Sequence, residues 1–182
     1  MTRDEALELV RSHVKNKNLI KHMLAVEACM RAFAGHFGED ENLWGLAGLL
    51  HDLDYDKTSK DATKHGLVGA QMLEEMGGID ERLISAVKAH AGHIEALSRM
   101  DKALFAIDPL TGLIVAAALM HPTKKLQGVD TQFVINRFKE KSFAAGANRE
   151  SIRTCEGLEL SLDEFISISL DAMKGVASEL GL

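Results

Sequence analysis

Proline is scarce in this chain, with two residues in 182. Long helices are therefore seldom interrupted, and the many Ala, Leu and Met residues favour the same state. Cysteine is equally scarce. Cys29 and Cys155 stand apart in helical patterns, which excludes a disulfide framework and leaves a reducing cytoplasm as the simplest compartment. Basic residues are not in excess, and the formal charge is −6. That argues against broad, sequence-independent nucleic-acid binding, but not against a nucleotide held by metals and a few lysines. The opening Met1-Thr2-Arg3-Asp4-Glu5-Ala6 has no apolar signal core. The longest apolar stretch, Leu113–Met120, is too short to span a bilayer, so no membrane association is expected. The Walker pattern is missing, and Gly77-Gly78 is too short for a phosphate loop. No Ser or Cys has an evident His partner for nucleophilic catalysis.

What is present is helical periodicity. The length fits one domain. Thr2 and Glu5 form a capping box for a first helix to about Val14. Leu19, Met23, Val26, Met30, Phe33 and Phe37 make an apolar stripe over Asn18–His36. A third helix is expected over Asn42–Leu53, then a polar loop at Asp54–Asp61. A fourth starts near Ala62 and stops at Gly77-Gly78, and a fifth runs from Asp80 to Gly92. Leu104–Met120 is a long apolar helix in which Pro109 predicts a kink or a fresh start. Further helices are predicted at 130–140, 148–157 and 161–180. No strand alternation is found, so the expected fold is all-α. Trp44 and the Met and Phe stripes read as core.

His51-Asp52 closes the apolar run Leu46–Leu50. Burying such a pair without partners costs a few kcal/mol, roughly, for each side chain. A divalent metal would resolve that conflict, since imidazole nitrogen and carboxylate oxygen are both good ligands. The rest of the chain supplies companions: His22 upstream, and His65, His90, His93 and Asp108 downstream. Helices of a bundle can bring such residues together in the core. His22, His51, Asp52 and Asp108 would form one site, and Asp52 could bridge to a second formed with His65 and His90. His13, His36 and His121 read as surface or helix-end residues. Lys57, Lys60 and Lys64 fit either a phosphate-binding rim or a solvated face, as do Lys124 and Lys125.

The ordered set His22, His51-Asp52, Asp108 resembles the HD superfamily of metal-dependent phosphohydrolases, whose pattern is a His, an adjacent His-Asp and a later Asp, all on helices. His65 and His90 resemble the added ligands of its two-metal members. Leu49–Asp56, Ala106–Ile114 and the C-terminal run to Leu182 are similar to small bacterial HD-domain proteins of mostly undefined substrate. The resemblance spans nearly the whole chain. It implies a single HD-like helical bundle over residues 1–182, with a metal-ligand core at about 18–120 and C-terminal helices at about 130–180. Two departures matter. Leu53-Asp54 follows the His-Asp pair where one subgroup has Ile-Gly, and no Gly-Tyr-Pro extension is present, so hydrolysis of cyclic dinucleotides is not implied. Where that subgroup has adjacent histidines, this chain has His90-Ala91-Gly92-His93. His90 is the preferred second-metal ligand, and His93 could contact phosphate.

The implied chemistry is hydrolysis of a nucleotide or other small phosphoester. One or two divalent ions (iron, manganese, zinc, nickel, cobalt or magnesium) would activate water and neutralise phosphate oxygens. His93, Asp54 or Asp56 could donate the leaving-group proton, and a solvated loop explains the two carboxylates equally well. A di-iron oxygenase on the same ligands and a nucleotide-sensing module without turnover are the competing classes. The sequence leaves the oligomeric state open.

Overall fold

The capping box at Thr2 forms as the sequence requires. In the computed structural model, which describes residues 1–182, it opens α1 (Arg3–His13). The Glu5 backbone N–H donates to the Thr2 hydroxyl at 3.3 Å, and the Thr2 N–H donates to the Glu5 carboxylate at 2.7 Å. Asn16 caps α2 (Lys17–Phe37), which ends at Gly38 in the left-handed conformation, φ 70°. Met23, Val26, Met30 and Phe33 of the stripe are fully buried. No strand forms, and the fold is all-α.

α3 (Glu41–Leu50) packs chiefly on α2, and Gly48 sets their separation. A Cβ at Gly48 would lie 2.9 Å from the Glu27 Cα, the Glu27 nitrogen and the Val26 carbonyl oxygen. Backbone atoms cannot swing aside as a side-chain tip would. This close approach brings His51, just past α3, up to His22 on α2. Gly48→Ala should therefore push the helices apart, with a loss of about 1–3 kcal/mol in stability. Urea unfolding measures it, and an unchanged midpoint would contradict the packing argument.

α3 stops short of Leu53. Its last helical residue is Leu50, and residues 51–54 form a turn. A continuing helix would spread successive side chains about 100° apart. The turn instead buries His51, Asp52 and Asp54 together. The expected loop at Asp54–Asp61 contains a short helix, α4 (Tyr55–Thr58). α5 (Leu67–Met76) begins later than Ala62, because Gly66 at φ 78° breaks helical geometry. His65 consequently precedes that helix and is not in its first turn. Gly77-Gly78, both at φ 70°, turn the chain into α6 (Glu81–His90).

α7 (Arg99–Met120) is one helix, started by a Ser98–Asp101 capping box. It begins before Leu104 and passes through Pro109 without a new start. An interior proline costs about 3 kcal/mol. Ile107, Leu110, Leu113 and Ile114 around it are fully buried. At roughly 1.5–3 kcal/mol for each such side chain, burial outweighs the lost hydrogen bond. The helix is longer than the stretch Leu113–Met120 suggested, and by length and composition alone it could cross a membrane. It is the central helix of the core, with its Ile107, Leu110, Leu113 and Ile114 side buried and Gly112 exposed on the other. Beyond it come α8 (Thr131–Lys139), α9 (Arg149–Arg153), α10 (Leu162–Gly175) and α11 (Ala177–Leu180). The helix expected at 148–157 splits, its second half being the 3₁₀ segment Thr154–Leu158. One hydrophobic cluster runs from Ala6 to Leu180.

Candidate metal centre

Six of the side chains singled out in the sequence converge into two adjoining clusters. In the first, His22 Nε2 lies 3.2 Å from His51 Nε2 and 3.0 Å from Asp108 Oδ1. Asp52 Oδ2 is 3.6 Å from His22 Nε2 and 3.4 Å from His51 Nε2. In the second, Asp52 Oδ1 is 3.2 Å from His65 Nε2 and 3.6 Å from His90 Nε2. His65 Nε2 and His90 Nε2 are 3.2 Å apart. Asp52 thus turns one oxygen to each cluster. α2, the turn after α3, α7, the segment before α5 and the end of α6 each contribute. The meeting of His65 and His90 brings the start of α5 and the end of α6 to the same end of the bundle.

The donor set fits a divalent cation. Ligands about 2.1 Å from a metal stand about 3.0–3.4 Å from one another in octahedral or tetrahedral order. The observed separations straddle that range. Each imidazole is also held with Nε2 inward. The Nδ1–H of His51 donates to the Gly48 carbonyl at 2.8 Å, and that of His90 to the Val87 carbonyl at 2.5 Å. His65 Nδ1 donates to Asp54 Oδ1 at 2.9 Å. The Thr111 hydroxyl donates to the Asp108 carbonyl at 2.9 Å, so its oxygen accepts from His22 Nδ1 at 3.1 Å. A carbonyl or carboxylate can only accept, so Nδ1 carries a proton and Nε2 is the nitrogen left to face a metal. Such outer partners fix tautomer and ring orientation at metal sites.

A family model described as HD domain matches residues 19–113, more than half of the chain. This chain belongs to the HD-domain family. The matched span contains all six clustered residues. Among curated relatives, Ribonuclease Y of Sulfurovum sp. (strain NBC37-1) is 27% identical over 167 residues, 90% of this chain and 33% of that protein. Ribonuclease Y of Enterococcus faecalis is 26% identical over 169 residues, again 90% of this chain and 32% of the relative. Ribonuclease Y of Campylobacter fetus is 28% identical over 151 residues, 81% of this chain and 29% of that protein. The chain therefore spans about a third of the length of these relatives. No solved structure matches. The HD-domain match and these relatives support a hydrolase and a divalent-metal site.

The electrostatics suit a cation at the centre of this HD domain. Burial disfavours the His51 imidazolium, yet the charge and hydrogen bond of Asp52 and the charge of Asp108 prevail and raise its pKa to about 9. His65 behaves alike: burial is outweighed by hydrogen bonds to Asp52 and Asp54, raising it to about 10. Burial opposes ionisation of Asp52 too, but His51 and the hydrogen bonds from His65 and His90 hold its carboxyl well below the usual range. Protons on His51 and His65 near neutral pH must leave before those nitrogens can bind metal. Metal affinity should therefore rise between about pH 6 and about pH 8, by up to about tenfold per pH unit for each displaced proton. Calorimetry in buffers of different ionisation enthalpy counts the released protons, and metal binding that releases none contradicts the assignment of these ligands.

Three residues expected near the chemistry stand elsewhere. Asp54 is fully buried with both oxygens in use, so it is no substrate-facing acid. Its Oδ2 accepts from the Gly66 and Gly69 backbone N–H groups at 2.8 Å each, while Oδ1 holds His65. Asp56 is exposed and accepts the Lys15 backbone N–H at 2.6 Å, which ties it to the segment after α1. His93 is half-buried in neither cluster, and its Nε2–H donates to the His65 carbonyl at 2.7 Å. Asp54→Asn would set an amide N–H against the two glycine donors or against His65 Nδ1. We expect about 10–100-fold weaker metal binding at the His65–His90 cluster. Metal titration of the variant checks this, and wild-type affinity would remove Asp54 from the account. Sequence reading also missed Thr111. Its place three residues after Asp108, one helical turn along, was the available signal.

Proposed function

We propose that this HD domain hydrolyses a phosphoester at paired metals bridged by Asp52, and that its substrate is a nucleotide or other small phosphoester. The observation that carries the reading is the split of one buried carboxylate between two ligand clusters. In this reading His22, His51, Asp52 and Asp108 hold the first ion, and Asp52, His65 and His90 the second. Divalent cations so held supply an activated water and charge for the phosphate oxygens. The protein's part is to aim four imidazole Nε2 atoms inward, by holding each Nδ1 through Gly48, Val87, Asp54 and Thr111. The second cluster has one shared carboxylate and two imidazole nitrogens, so it is the weaker of the two. A cavity of about 400 Å³ beside His22 supports a substrate of small-molecule size.

RNA is the second reading, favoured by the similarity to proteins named Ribonuclease Y over nine-tenths of the chain. One experiment separates the two. The purified protein, loaded in turn with manganese, iron, zinc, nickel, cobalt and magnesium, is offered nucleotides, simple phosphoesters and RNA oligonucleotides. Metal-dependent phosphate release from small esters supports the proposal, and cleavage confined to RNA favours the second reading. Oxygen uptake without phosphate release would point to the di-iron alternative. No hydrolysis with any metal overturns both phosphoesterase readings.

A further inference from the structure

Solvent does not reach the ligands equally. The side chains of His51 and His90 are buried, and that of Asp52 nearly so. The Asp108 side chain is 32% exposed, that of His22 23% and that of His65 19%. A substrate therefore arrives over these three. Tyr55 stands at the His65 end of that opening. It is the one tyrosine in the chain. It follows Asp54 directly and begins α4, and its backbone N–H donates to the Asp52 carbonyl at 3.0 Å. The backbone of the bridging ligand thus ties it to the centre. Its ring meets the His65 imidazole edge to face, with centroids 5.3 Å apart and planes at 88°. No Phe or Trp ring stands against a cluster ligand in this way.

Packing does not account for this residue. The His65 ring is already held through Nδ1 by Asp54 at 2.9 Å. Tyr55 itself is 41% exposed, so its ring gains little from burial. Its hydroxyl enters no hydrogen bond with the protein, whereas the Thr58 hydroxyl, on the same short helix, donates to the Asp54 carbonyl at 3.0 Å. Asp54, Asp56 and His93, the side chains expected to meet substrate, are engaged elsewhere. Tyr55 keeps an uncommitted donor on a ring already set against a ligand.

Resting on the phosphoesterase reading, we propose that the Tyr55 hydroxyl donates a hydrogen bond to a phosphoryl oxygen of the substrate, on the His65 side of the centre. No proton is transferred, and the phenol stays protonated throughout. An O–H donor facing an anionic oxygen makes a short bond, roughly twice as strong as a neutral one. Charge is spread over the phosphoryl oxygens in the transition state, so a fixed donor serves there as well as in the bound ester. Tyr55 is then a substrate-contacting residue outside the ligand set.

The test is Tyr55→Phe in the full chain, loaded with manganese. Phenylalanine keeps the ring on His65 and removes only the hydroxyl, so a purely structural role survives the change. Inorganic phosphate is the probe, and calorimetry gives its affinity without turnover. The ultraviolet difference spectrum is followed in the same titration, where the one tyrosine reports its own contact. In wild type the tyrosine band should shift as phosphate saturates the protein. The variant should keep its metal content and melting temperature, bind phosphate about tenfold more weakly and lose about tenfold or more in kcat/KM on phosphoesters. A tyrosine band that stays still while phosphate binds overturns the proposal. So does wild-type phosphate affinity in the variant, loss of metal from the variant, or the absence of phosphate binding to wild type. If phosphate shifts the band and binds the variant weakly, yet no ester is hydrolysed, the Tyr55 contact stands and the phosphoesterase reading falls. Equal metal-dependent hydrolysis by both proteins leaves that reading and removes Tyr55 from it.

Discussion

Asp52→Ala is expected to remove metal from both clusters and to lower hydrolysis by about 10³-fold or more. The carboxylate sits 3.4 Å from His51 Nε2 through one oxygen and 3.2 Å from His65 Nε2 through the other. His51 also stands within reach of both clusters, but Asp52 is the residue that turns a separate oxygen to each. Its loss takes one ligand from the first site and the only anionic ligand from the second. It also leaves raised-pKa imidazoles without their main counter-charge. Breaking such a buried pair costs about 3–5 kcal/mol. Asp52→Asn keeps the side-chain volume and separates metal loss from unfolding. Metal content by mass spectrometry, alongside phosphate release, checks the expectation. Either variant retaining full metal content and wild-type rate contradicts the bridging role.

The second large effect is expected of the His65→Ala, His90→Ala double variant. These residues hold only the second cluster, so the first keeps His22, His51, Asp52 and Asp108. One metal should remain while hydrolysis drops by about 10²-fold or more, because phosphate loses one of two cationic partners. Mild chelation of wild type should mimic this by emptying the second site first. A double variant that hydrolyses at the wild-type rate would leave a one-metal enzyme. Loss of all metal would show that the two sites do not bind independently.

Most of the six side chains that converge were legible because each is a polar residue placed against an apolar helical run. His51-Asp52 after Leu46–Leu50 is the clearest case. The all-α fold was legible from period alone, since two prolines leave long stripes intact. The positions of helix ends were not. Periodicity carries on past Leu50, whereas the partners awaiting His51, Asp52 and Asp54 draw the chain into a turn. Gly66 looks like any helical glycine in sequence, yet its φ of 78° delays α5 and leaves His65 in the preceding turn. Pro109 predicted a break, and burial on both sides of it prevailed. Asp54 and Asp56 look alike in sequence, one step apart along a polar stretch. Only the path of the chain around Gly66 and Gly69 makes the first a buried support for His65 and leaves the second on the surface.

Anomalous X-ray diffraction from manganese-loaded crystals, recorded on both sides of the metal absorption edge, tests the central claim most directly. The account predicts a peak enclosed by His22, His51, Asp52 and Asp108, and a weaker one between Asp52, His65 and His90. Loaded protein with no anomalous density against either oxygen of Asp52 would contradict it.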